Sequence, residues 1–91
     1  MEQLMVGLRK KHQCTLNKIF TSPPPVNIKW SDIESLIKAL GGRVTEGNGS
    51  RCRFILNDSI AKFHRPHPLP DTDRDAIVSL REWLESTGVK P

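Results

Sequence analysis

Apolar side chains recur along this chain in two rhythms, and the switch between them divides it. Leu16, Ile19 and Phe20 fall on one stripe, with His12 one turn earlier, which predicts a helix from about Lys10 to Phe20. Ile33, Leu36, Ile37 and Leu40 repeat the helical rhythm and predict a second helix over 31–41. Ser31 and Glu34 have the spacing of a capping box at its start, and Gly41-Gly42 supplies its stop. The period then falls to two. Arg43–Glu46 reads as a short strand, Gly47–Ser50 as a turn, and Arg51–Leu56 and Ser59–His64 as paired strands. Asn57-Asp58 suits the tight turn between them, because both residue types tolerate positive φ. After Pro70 the helical rhythm returns in Ile77, Leu80, Trp83 and Leu84, with Asp71 or Thr72 to cap and Gly88 to close. Residues 1–9 carry no clear pattern.

Thr21-Ser22-Pro23-Pro24-Pro25 interrupts the first helix and favours extended geometry, since prolines donate no hydrogen bond. It divides the chain into 1–26, an N-terminal helix with a proline-rich linker, and 27–91, the main domain. The fold class expected is α+β. A three-stranded antiparallel sheet in α-β-β-β-α order carries both helices on one face, and the extra N-terminal helix precedes it. If Asn57-Asp58 form the turn, the register follows. Leu56 faces Ser59, Phe54 faces Ala61 and Cys52 faces Phe63 on the apolar side. Ile55 faces Ile60, Arg53 faces Lys62 and Arg51 faces His64 on the other. That second face is basic over the half farthest from the turn.

Composition narrows the classes. At 91 residues with 36% apolar content the chain makes one modest core. A formal charge of +4 permits a polyanionic partner without requiring one. Cys14 and Cys52 form no CxxC pattern and read as free thiols of a reducing compartment. No apolar run approaches the ~20 residues that span a bilayer, and the first ten residues are too weakly apolar for a signal peptide. The expectation is a cytoplasmic protein without membrane contact.

The residues able to carry chemistry cluster between Arg51 and His67. A histidine pair, His64 and His67, can supply the base and the acid of RNA phosphodiester cleavage. Arg51, Arg53, Lys62 and Arg65 can bind the backbone and offset charge on phosphorus. The plainer account makes His64 a strand-end histidine, His67 a rigid loop corner between Pro66 and Pro68, and the cations a solvated face. A metal is not expected: Cys52 points away from His64, and zinc sites need three or four protein ligands. No cofactor is expected either. Trp83 reads as core rather than as a stacking platform.

Several motifs in order resemble the HicA family of toxins. They are Trp30 at the start of a helix, Leu40-Gly41-Gly42 at its end, Gly49-Ser50 opening the second strand, and His64-Arg65-Pro66-His67-Pro68 closing the third. The match runs over roughly residues 27–90, and the stretch from Lys11-His12 to Ile19-Phe20 resembles an N-terminal extension of a HicA-like branch. The resemblance implies a fold like the double-stranded-RNA-binding domain (dsRBD-like). It also implies an mRNA interferase, a metal-independent endoribonuclease neutralised by a HicB-type antitoxin. One position departs: Arg51 stands where the family's Gly-Ser-His motif has its histidine, and an arginine stays protonated. The expectation is therefore a HicA-like toxin component acting on RNA, or a descendant that only binds it. The alternative is a non-catalytic RNA-binding or protein-interaction module.

Overall fold

The computed structural model describes residues 8–25, 27–49, 51–66 and 71–91. In chain order its elements are α1 (Lys10–Ile19), α2 (Trp30–Ala39), β1 (Arg43–Glu46), β2 (Arg51–Leu56), β3 (Ser59–His64) and α3 (Arg74–Ser86). The strands form one antiparallel sheet in the order β1-β2-β3. This is the α+β arrangement expected from the periodicity. The β2–β3 register also agrees pair by pair, from Leu56 opposite Ser59 to Arg51 opposite His64. Asn57 and Asp58 turn the chain at φ 49° and 65°, the left-handed pair that matches the twist of a two-residue hairpin.

Alternation in β2 sets the core. Cys52, Phe54 and Leu56 point inward and are buried, while Arg51 and Arg53 point outward and are exposed. Phe54 lies completely buried among aromatic rings, with centroids 5.3 Å from Trp30, 5.4 Å from Phe63 and 6.3 Å from Trp83. Ile33, Leu36 and Ile37 of α2 and Ile77, Leu80 and Leu84 of α3 complete that layer. Leu16 and Ile19 of α1 are buried in the same core, and α1 packs against both other helices. Each such side chain contributes roughly 1.5–3 kcal/mol by leaving water.

The helix starts differ from expectation. α2 begins at Trp30 after an N-cap Lys29 that makes no side-chain cap, so the Ser31–Glu34 capping box does not form. Glu34 is engaged elsewhere: it accepts a 3.0 Å hydrogen bond from Trp30 Nε1. α3 begins at Arg74 after Asp73, again without a side-chain cap, so neither Asp71 nor Thr72 caps it. Those two residues instead tie the two helix starts together. Lys29 and Asp71 form an antiparallel bridge, and the Thr72 amide donates to the Ile28 carbonyl at 2.7 Å.

The helix ends agree with expectation. The amides of Gly41 and Gly42 donate to the carbonyls of Lys38 and Ile37, and those of Gly88 and Val89 to Glu85 and Leu84. Both are Schellman turns.

Candidate nucleic-acid interface

The sheet face turned away from the helices holds the candidate site. Cross-strand pairs share a face, so its side chains fall into rows. Arg43, Ile55 and Ile60 make one row, and Thr45, Arg53 and Lys62 the next. Arg51 and His64 make the third, where Gly47 stands opposite Arg51 through the hydrogen bond from its amide to the Arg51 carbonyl. Arg43, Arg51, Arg53, Lys62 and His64 are all exposed, and no helix covers them. Arg51, Arg53, Lys62 and His64 line a 410 Å³ hollow.

Electrostatics make this face hungry for anions. Arg53 and Lys62 are direct cross-strand partners, and like charges directly opposite one another are destabilising. Among the described residues none of Arg43, Arg51, Arg53 and Lys62 is ion-paired with a carboxylate. An anion seated between them would turn repulsion into attraction, and the effect would weaken as salt screens it.

Arg65 lies elsewhere. The alternation that turns Phe63 inward also turns Arg65 toward the helix side. There its guanidinium pairs with Glu46 of β1 and approaches Glu34 of α2 at 3.6 Å. Glu46 raises the guanidinium pKa further, and Glu34 adds to the effect. The Cys52 Sγ sits 3.9 Å from the same Glu34 oxygen. Burial raises the thiol pKa, and the Glu34 charge pushes in the same direction.

No family model, curated protein or solved structure matches this chain.

Of the residues singled out by sequence, the structure gathers Arg51, Arg53, Lys62 and His64 on one face and sets Arg65 on the other. His67 lies outside the described residues. Cys52 is buried on the opposite side of the sheet from His64. Trp83 packs toward Phe54 and donates its indole N–H to Ser59 Oγ at 2.9 Å, which puts it on the helix side. Sequence reasoning overlooked Arg43. Val44 faces the core opposite Phe54, so its neighbour Arg43 must face outward. Among the described residues no helix is long and apolar enough to cross a membrane.

Proposed function

We propose that this chain is a HicA-like, RNA-acting toxin component of the cytoplasm. Arg51, Arg53 and Lys62 hold the phosphate backbone, and His64 takes part in proton transfer. The observation that carries this reading is the gathering of those four exposed side chains around one hollow on the uncovered sheet face. Cleavage of RNA needs three things: a base for the 2′-hydroxyl, cations for the charge on phosphorus, and an acid for the leaving oxygen. Arg51, directly opposite His64, would meet the second need beside the group serving the first or third. Arg65, held between two carboxylates, shapes the corner after β3 rather than binding phosphate. The family resemblance makes a HicB-type antitoxin the protein partner.

A second reading is favoured by one residue. Because Arg51 replaces the family's histidine, the face keeps its anion-binding cations and loses a proton carrier, as a protein that binds RNA without cutting it would. Purified protein incubated with mRNA decides between the two. Cleavage products that vanish in His64→Ala support the nuclease. Salt-sensitive binding without products, unchanged in His64→Ala, supports the binder. Intact mRNA, no salt-dependent RNA binding and no growth arrest on expression would sink both.

A further inference from the structure

We infer that Arg43 is the outer anchor of the anion path, so that this face grips a run of backbone phosphates and is indifferent to the bases they carry. The inference rests on the RNA-binding reading above.

Arg43 lies one strand over and one row along from Arg53, and Arg51 lies one further row along β2. With strands about 4.8 Å apart and outward side chains about 7 Å apart along a strand, the steps are about 8 Å and about 7 Å. Arg43, Arg53 and His64 therefore fall on one diagonal of the sheet, flanked by Lys62 and Arg51. The hollow lined by the last four residues ends short of Arg43, so a ligand that fills only the hollow does not need it. A strand of several phosphates laid along the diagonal does.

The rest of the face says what is not read. Its other outward positions are Thr45, Ile55 and Ile60. The aromatic residues Trp30, Phe54, Phe63 and Trp83 pack together on the helix side, and Phe20 packs against the same core. Among the described residues, the His64 imidazole is the only ring at an outward position of this sheet face, and stacking on rings is what usually binds the bases of a single strand. The grip is that of charge on phosphate.

The test is fluorescence anisotropy with end-labelled single-stranded RNA, oligo(U) and oligo(A), over a range of salt. Variants are Arg43→Ala, Arg43→Lys and Lys38→Ala, the last an exposed cation of α2 away from this face. Single-strand binding follows a log–log salt slope of about −0.7 per phosphate contact. Arg43→Ala is expected to make the slope less negative by about 0.7 and to weaken binding about two- to fivefold at moderate salt. Arg43→Lys and Lys38→Ala should keep the wild-type slope, and the two oligomers should bind alike. An unchanged slope in Arg43→Ala, with wild-type binding intact, overturns the inference and leaves the RNA reading standing. An equal change in Lys38→Ala also overturns it, because the effect would then be one of overall charge. A preference above about tenfold for one oligomer overturns the base indifference. No binding by wild type at any salt overturns the RNA reading and the inference together.

Discussion

The two glycines that close α2 look interchangeable and should respond very differently to alanine. A Cβ on Gly42 would lie 2.6 Å from the Ile55 carbonyl oxygen, 2.9 Å from Ile37 Cγ2 and 3.1 Å from the Ile37 carbonyl oxygen. Ordinary contact starts at 3.4 Å, so the Ile55 carbonyl would have to move by the difference, about 0.8 Å. That carbonyl belongs to the central strand, hydrogen-bonded on both sides, and cannot swing away as a side-chain tip could. The cost therefore belongs at the upper end of the 1–3 kcal/mol typical of overpacking, about 3 kcal/mol. Reduced freedom of the unfolded chain returns about 0.4–1 kcal/mol, which leaves a net loss of about 2 kcal/mol. Gly41 has open space around its missing Cβ, and only its φ of +91° resists a side chain. The left-handed conformation costs about 1–2 kcal/mol, so after the same offset Gly41→Ala should lose about 1 kcal/mol or less. Urea unfolding followed by far-ultraviolet circular dichroism measures both. With a slope of roughly 1–2 kcal/mol per molar, the midpoint should fall about 1–2 M for Gly42→Ala and under about 1 M for Gly41→Ala. A Gly42→Ala midpoint at the wild-type value, or above that of Gly41→Ala, refutes the reasoning. The site feels the same displacement, because Arg51 and Arg53 ride on the strand that must yield.

Three further outcomes are expected. Trp30→Phe keeps a ring beside Phe54 but removes the donor to Glu34, and should cost about 1 kcal/mol, read as a drop of about 4–8 °C in Tm. An unchanged Tm would mean that this hydrogen bond adds nothing net. Asp58→Gly relieves a left-handed residue whose turn type favours glycine, and should raise stability by about 0.5 kcal/mol, whereas any loss in thermal unfolding contradicts the turn assignment. A thiol reagent should label exposed Cys14 promptly and buried Cys52 only on unfolding. Because folding raises the Cys52 pKa, its contribution is full below the ordinary value of 9.0 and declines as pH climbs above it. The urea midpoint advantage of wild type over Cys52→Ala should therefore shrink between about pH 8 and about pH 10, and an advantage that grows refutes the direction.

The hairpin was legible in sequence because one turn and one alternation fix every pair. Asn57-Asp58 leaves a single register, and that register sets inward Cys52, Phe54 and Leu56 opposite Phe63, Ala61 and Ser59. Arg65 was legible by the same parity: an odd position beyond Phe63 belongs on the inner side, but proximity in sequence grouped it with the cations. Its partners, Glu34 and Glu46, sit on other elements and announce nothing locally. The capping box failed for a related reason. Spacing offered Glu34 to the Ser31 backbone, while the folded chain gives it the Trp30 indole one turn back in the same helix and the Arg65 guanidinium from beyond β3. Arg43 was hidden because the loop at Gly47–Ser50 does not dictate a register as the two-residue turn does. The prolines after α1 read as a boundary, yet the apolar stripe of α1 needed burial, and Leu16 and Ile19 find it in the common core.

The aromatic cluster also governs how this molecule can be watched. The chain has two tryptophans and no tyrosine. Both indoles lie on the helix side of the sheet, Trp30 buried and Trp83 half-buried. Intrinsic emission therefore reports the interior, and the cationic face is optically dark. A nucleic acid settling on Arg51, Arg53 and Lys62 touches neither fluorophore. A shift in emission when such a ligand binds reports a change of environment on the helix side of the sheet, whereas a labelled ligand reports occupancy of the cationic face.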